Sequence, residues 1–516
     1  MSKGLHLGIG HYGIGSKDGV NTVISRNVKA LQAIDPNLKI TLFGKLAPEY
    51  KDFIKPVRGS LEYLNIDEFD SASEVRKLAE KSIMDQQVHD YIWQGTNLAE
   101  KLVEKLADMD VIMIENLGIG MDPAVTYAFY LYTQYCYTRR EPKRFIFRFH
   151  DFVQQRPGNF SNVKKFHHPR LGLVPHWHSV LFPAYPNIKY VSINRYDRMR
   201  LIEHGIEEEN IYYVPNSIDP SIIPPDDRSQ ELREEIVKNE RLDPAVRFIL
   251  YPVRCVRRKN VEEAMFLVRL FNMVAGGASS RSEYSSKLQY HLLVSIRPTS
   301  GDDAQYADRL VAFATENGFP VTIGLDGLVS LQREFDSRNP AKLRRYSIGD
   351  LYRVADLVIT TSILEGFGFT YLEPWLLDRA VIGRSIPFIT PDFQATGMKL
   401  GHLYTALIVD RQDFKDIGQK LATPDKALQA KLKKILRLEQ RGYVDRIIDS
   451  NETVLTATLK LFEPAKRKQL IRRNRRVVEE VYSQEKVGKE LYRVITAGYP
   501  REARLTEQRL SASTAL

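Results

Sequence analysis

Short apolar segments alternate with amphipathic ones along most of this chain, and that alternation limits the folds open to it more than any other feature. Strands are expected at residues 5–10, 40–43, 111–115, 144–149, 189–193 and 211–214, with helical patterns between them at 20–34, 72–107, 124–137 and 195–204. Several of the strands are continuous apolar runs, as when helices cover both faces of a parallel sheet. The pattern breaks at VPNSIDPSIIPPDDRSQ, residues 214–230, whose Pro, Asp and Ser content reads as a linker. It resumes with strands at 248–252, 290–296, 321–324, 357–360 and 381–383 and helices at 261–273, 304–317, 349–355 and 369–377. From about residue 413 the chain reads as helical, with a frayed end. A chain of 516 residues is too long for one core. The expected architecture is α/β: two doubly wound Rossmann-like domains facing across a cleft.

Lys and Arg number 74 against 64 Asp and Glu, a net charge of +10. That balance favours anionic partners, and it equally fits a basic solvated surface. The two cysteines, Cys136 and Cys255, argue against a disulfide framework and for a reducing compartment. The N-terminus lacks the long apolar region of a signal peptide. No apolar run reaches the roughly 20 residues needed to span a bilayer. A cytoplasmic location is expected, with peripheral membrane contact left open. No nucleic-acid module accompanies the charge, so no nucleic-acid partner is expected.

Ligands of doubly wound sheets sit beyond the carboxyl ends of the strands. The first strand leads into GHYGIGSKDGVN, where Gly10, Gly13 and Gly15 precede a helix expected near Gly19. Such a turn lets the backbone approach a phosphate with helix amides aimed at it, and it is also consistent with a mere tight turn. The first strand of the second half leads into YPVRCVRRKN. There Arg254 and Lys259 suit a diphosphate, a fork and a point charge together; Arg257 and Arg258 read as a solvated loop. A third exit is TSILEGFGFTYLEPW, residues 361–375. Gly366 and Gly368 permit a tight turn, with a helix expected from Phe369 and Glu373 about one turn in. Carboxylates are poor neighbours for phosphate but good acceptors from vicinal hydroxyls. Glu365 and Glu373 on either side of turn amides suit a nucleotide sugar: ribose, phosphate and sugar in order.

EGFGFTYLE resembles the E-x7-E signature of GT-B retaining glycosyltransferases, most closely the family 4 group. YPVRCVRRKN is similar to that group's G-R-x-x-x-x-K-N segment, with Pro252-Val253 where glycine is usual. VPNSID resembles its V-P-N-G-V-D interdomain motif, with Ser217 for glycine. DLYRVADLVITTS and SQEKVGKELYRVI are similar to its lead into the acidic motif and its C-terminal crossover helix. The resemblance implies a first domain over residues 1–218 on the acceptor side and a nucleotide-sugar-binding domain over 219–480. A helix at 481–500 would cross back to the first domain, and 501–516 would be a flexible tail. It implies that Glu373 binds the ribose, and that Glu365 with the amides of Gly366, Phe367, Gly368 and Phe369 holds the donor sugar and distal phosphate. Arg254 and Lys259 would neutralise the diphosphate and stabilise the leaving nucleotide. Gly13 and Gly15 would close on the phosphate, and His150, in FRFHDF, would act near the donor sugar.

The expected reaction is retaining transfer of a hexose from a UDP-glucose or GDP-mannose type donor to an acceptor hydroxyl on a small phosphorylated metabolite, a glycan or a lipid-linked sugar. No cofactor and no essential metal are expected. The Asp108–Asp110 triplet DMD precedes a strand, at the wrong end of the sheet for a metal-dependent donor site, and reads as a turn. HHPRLGLVPHWH holds His167, His168, His176 and His178 without regular zinc spacing, and reads as an acceptor-side loop. KRKQLIRRNRR, residues 466–476, reads as a solvated helix face, with contact to anionic lipid or a polyanionic acceptor as the sharper alternative. A phosphorylase or sugar-nucleotide epimerase on the same fold, or a non-catalytic carbohydrate- or lipid-binding scaffold, are the competing functions.

Overall fold

In the computed structural model, residues 4–16, 18–48, 50–54, 59–69, 85–164, 176–275, 289–339, 341–407 and 452–497 are described. His167 and His168, most of the helical stretch expected from 413, and the tail at 501–516 lie outside them. The chain divides into two compact units. The described residues up to Ser217, with those from Tyr482 onward, form the first; Ile218–Val481 form the second.

The first unit is built on seven strands: β1 (His6–Ile14), β2 (Lys39–Leu46), β3 (Leu61–Asn65), β4 (Val111–Glu115), β5 (Arg144–Phe149), β6 (Ile188–Ser192) and β7 (Ile211–Tyr213). They lie in the order β3-β2-β1-β4-β5-β6-β7, all parallel. Leu7, Ile9, Val111, Met113, Ile146 and Val191 belong to one core cluster; Ile112, Ile114, Phe145 and Phe147, alternating with them along β4 and β5, belong to another. This two-sided burial is why β4 and β5 are apolar without alternation. The Gln484–Thr496 helix belongs to this unit. Val487, Leu491, Val494 and Ile495 enter its core, and Tyr492 donates to Asp35 at 2.8 Å. Gly488 lies against Ala30 of the Gly19–Ile34 helix, so close that a Cβ there would stand 2.8 Å from the Ala30 Cβ.

β1 runs four residues beyond the expected stop at Gly10. A bulge between Gly10 and Gly13 lets pairing with β2 resume at Gly13–Lys45, so Gly13 lies in the strand rather than in the loop after it. β3 was not expected; its LEYLN face is half exposed and too polar to stand out.

The second unit holds β8 (Arg247–Arg254), β9 (Tyr290–Ile296), β10 (Val321–Ile323), β14 (Leu357–Thr360) and β15 (Ala380–Gly383) in the parallel order β10-β9-β8-β14-β15. Pro252 sits where β8 shifts register against β9, between Tyr251 and Arg254, and at such a bulge a missing N–H costs no ladder bond. A second sheet, β11 (Val329–Ser330), β13 (Leu343–Ser347) and β12 (Glu334–Phe335), was not anticipated. Its strands are short, and one of its fixings is the Arg345–Glu334 ion pair rather than an apolar pattern. Both cysteines are buried and free. No described helix is long and apolar enough to cross a membrane.

Candidate active site

Strand order reverses direction between β1 and β4 in the first unit and between β8 and β14 in the second. The carboxyl ends of strands at such switch points are where open α/β sheets bind ligands. Each unit gathers charged side chains there.

In the second unit the chain leaves β8 through a 3-10 turn, Arg257–Lys259, which Asn260 ends in the left-handed conformation at φ 52°. The turn is tied to the β14 exit. Tyr251 Oη donates to the Lys259 carbonyl at 2.7 Å, and Asn260 Nδ2 donates to the Thr361 carbonyl at 3.2 Å. The Ile363 amide donates to the Arg258 carbonyl at 3.0 Å. These bonds bring Glu365, more than 100 residues downstream, against the basic turn. Lys259 Nζ donates to Glu365 Oε1, and Arg258 donates to Oε2 at 3.2 Å and to the Leu364 carbonyl. Glu365 is 9 % exposed. Burial alone would raise its pKa, but the charges of Lys259 and Arg258 outweigh that and hold the carboxyl below its usual range. Burial lowers the Lys259 ammonium against the pull of Glu365. The cluster is therefore a buried carboxylate held by a largely buried ammonium and a partly exposed guanidinium.

Arg258 corrects the sequence reading, which left it in a solvated loop. The ties at Asn260 and Ile363 turn it inward, whereas the Arg254 side chain is exposed at the end of β8 and forms no ion pair among the described residues. A second correction concerns the glycine turn. Gly368 adopts φ 93° and opens a 3-10 turn over Phe369–Tyr371, and the helix begins only at Glu373. Pro374 is the reason: it has no N–H to give the Thr370 carbonyl, so no continuous α-helix can run from Phe369. Glu373 thus opens the helix instead of standing a turn inside it, and Tyr352 Oη donates to its Oε2 at 3.4 Å. Phe367 is buried edge-on against Phe369 and Phe393, which fixes the turn.

In the first unit, the His150 singled out from sequence is held by partners that sequence reasoning missed. His150 Nε2 is 2.6 Å from Glu115 Oε2, Arg148 donates to Glu115 Oε1 at 3.4 Å, and Asn27 reaches the same oxygen. Arg148 also donates to Asn216 Oδ1 at 2.8 Å. Glu115 and Arg148 are fully buried. Burial would raise the Glu115 pKa, but Arg148 and the bond from His150 bring it down to about 2. An ionised carboxylate can only accept, so the proton in the 2.6 Å contact is on His150 Nε2. His11 packs alongside: its Nδ1 donates to the Glu115 carbonyl at 3.2 Å, and burial lowers its pKa. The available signal was a charged residue ending VIMIE and another inside RFIFRF, since charges in strands buried on both faces must be paired.

Gly15 takes φ 85°, and a Cβ there would meet the Tyr50 Cα at 2.7 Å. Its amide donates to Asn21 Oδ1 at 2.9 Å, and Asn21 Nδ2 returns a bond to the Gly13 carbonyl. Asp18 caps the following helix. Asp110 lies at the amino edge of the same sheet, where its carboxylate accepts the His6 amide at 2.8 Å. His178 Nε2 is 2.9 Å from His204 Nδ1, a half-buried pair in which burial and His178 lower His204 to about 4. Among the described residues no group of three or more His, Cys, Asp or Glu is placed to hold a metal ion.

The two parallel units have the GT-B fold of nucleotide-sugar glycosyltransferases. The crystal structure of Anabaena HepE in complex with UDP and glucose superposes at a TM-score of 0.53, covering 96 % of this chain and 100 % of that one at 11 % identity. In sequence the chain is related to the mannosylglucosyl-3-phosphoglycerate synthase of Petrotoga mobilis, 28 % identical over 385 residues, 72 % of this chain and 64 % of that protein. It is also similar to the mannosylglucosylglycerate synthase of Thermotoga maritima, 25 % identical over 300 residues, 58 % of this chain and 62 % of that one. The chain thus matches less than two thirds of the length of each. No family model matches it.

Proposed function

We propose that the protein is a retaining, metal-independent glycosyltransferase that moves a hexose from a nucleotide-diphosphate sugar to a hydroxyl of a small anionic acceptor. The observation that carries this reading is the convergence of Lys259 and Arg258 on Glu365 at the switch point of the second unit. In this reading the second unit takes the donor and the first serves the acceptor. Glu373 accepts from the ribose hydroxyls, and Glu365 and the turn from Gly366 to Phe369 hold the sugar and distal phosphate. His150, oriented by Glu115, and Gly13 and Gly15 are the first unit's candidates for acting on the substrates. The bond between the anomeric carbon and the diphosphate oxygen breaks, and its electron pair stays on the diphosphate. Lys259 and Arg258, with Arg254 at the end of β8, stabilise that charge electrostatically. The acceptor oxygen bonds to the anomeric carbon on the same face, and its proton passes to the departing phosphate oxygen.

The names of the relatives favour a mannosyl donor and a glucosylglycerate or glucosyl-phosphoglycerate acceptor. The test is a panel of GDP-mannose and UDP-glucose with each acceptor, with the product anomer read by NMR. Retention with at least one pair is expected; phosphorolysis or epimerisation without transfer would overturn the reading.

Two further outcomes follow from the roles assigned. Glu373→Ala should weaken donor binding about ten-fold or more, because a charged acceptor contributes roughly 1.5–3 kcal/mol. Unchanged donor affinity in calorimetry would remove Glu373 from the ribose. Activity should also persist in excess chelator, since cationic side chains already cover the diphosphate. Loss of turnover in chelator with recovery in magnesium or manganese would point to a metal-assisted leaving group instead.

A further inference from the structure

The amino-terminal edge of the second unit's sheet, opposite the Lys259–Glu365 cluster, carries a second concentration of positive charge. A cavity of about 320 Å³ there is lined by Arg233, Arg247, Arg353, Arg379 and Arg467, with Asp356 and a few small apolar residues. Arg247 begins β8, and Asp356 and Arg379 immediately precede β14 and β15. Because these strands are parallel neighbours, their amino ends share one edge. Arg233 and Arg353 come from the Ser229–Glu240 and Ile348–Val354 helices, and Arg467 from Pro464–Val481. Arg467 belongs to the basic run read from sequence as a solvated face.

Four of the five guanidinium groups are held by main-chain carbonyls rather than carboxylates. Arg233 donates to the carbonyls of Pro244 and Val246, and Arg353 to those of Pro224 and Asp226. Arg379 donates to Tyr352, Arg353 and Asp378 carbonyls, and Arg467 to that of Asp356 at 3.0 Å. Carbonyls fix the forks in place without neutralising them. None of the five forms a salt bridge among the described residues. Asp356 is the one acid in the lining, and Asp227 and Asp378 act on Arg353 and Arg379 from outside it. Burial, and then the charge of Arg467, lowers the Arg379 pKa; burial, and Arg247 against the pull of Asp356, lowers that of Arg467. Like charges fixed together this way carry a repulsion that a bound anion would relieve.

We propose that this cavity is a second ligand site, separate from the donor site, for a phosphorylated small molecule bound through its phosphate or diphosphate. Several planar forks in fixed positions match the oxygens of a phosphate better than a single carboxylate. The volume is at the small end of ligand pockets, which suits a phosphomonoester or diphosphate. The proposal does not depend on the function assigned to the opposite edge.

The test uses the full chain carrying Lys259→Ala and compares it with the same chain carrying Arg247→Gln as well, so that any anion binding left at the Lys259–Glu365 cluster is common to both. Inorganic phosphate, pyrophosphate and glucose 6-phosphate are titrated by calorimetry, and pyrophosphate is added in thermal unfolding. Pyrophosphate should raise Tm in this background, as does any ligand that binds only the folded state. Adding Arg247→Gln should weaken binding at least ten-fold and abolish the rise. The Arg247 side chain has no hydrogen bond or ion pair among the described residues, so this change spares the local scaffold. Arg467→Lys should retain part of the binding, because it keeps the charge and loses the fork. A preference for the sugar phosphate over inorganic phosphate assigns the site to an organic ester; equal affinities assign it to the free ion. Undiminished binding and Tm rise in Arg247→Gln, or no binding in the Lys259→Ala background, would overturn the proposal.

Discussion

Lys259→Ala is expected to lower kcat by about two to three orders of magnitude, the range for removing one preorganised group from a developing oxyanion. Donor binding should weaken far less. Negative charge on the diphosphate grows towards the transition state, so the ammonium stabilises that state more than the bound donor. Arg258 sharpens the expectation. It shares the Glu365 carboxylate, so after Lys259 is lost the acid keeps one partner and the turn keeps its shape. Arg258→Ala should therefore show the same pattern with a smaller loss. Steady-state kinetics with calorimetric donor affinities separate the two quantities. If Lys259→Ala raises KM and leaves kcat untouched, the lysine serves binding alone.

The second large effect concerns the first unit. Arg148→Met should destabilise it by about 3–5 kcal/mol, because a fully buried Glu115 is left without its guanidinium. The same pair sets a pH dependence. Glu115 is held at about 2 against an ordinary 4.5. A carboxyl lowered by folding stabilises the fold fully above its unfolded value. That contribution, about 3 kcal/mol, is lost as pH falls from about 4.5 towards 2. Denaturant midpoints of the wild type should fall more steeply over that window than those of Glu115→Gln. Parallel curves would mean that the carboxylate is not the group that titrates.

Much of the chain's local organisation could be read directly. β4, β5, β9 and β14 fall at the residues their apolar runs predict, because a strand buried on both faces has no choice of composition. Where polar and apolar residues mix, as in β3 and the β11-β13-β12 sheet, the pattern carries no signal and the elements were missed. The helix expected from Phe369 failed on one residue, Pro374, whose missing N–H outweighs an otherwise helical pattern.

The sequence by itself determined the two α/β units, the glycine turn at Gly368 and the placing of Glu365, Glu373 and Lys259 at strand exits. These follow from hydrophobic period and turn chemistry, which are local. Only the tertiary structure decided which charges meet. Arg258 and not Arg254 joins Lys259 on Glu365, Glu115 and Arg148 orient His150, and five arginines from separate elements line one cavity. Coulombic pairing in a buried site depends on distance and desolvation. Both are set by strand order, which brings together residues 33 to 107 positions apart.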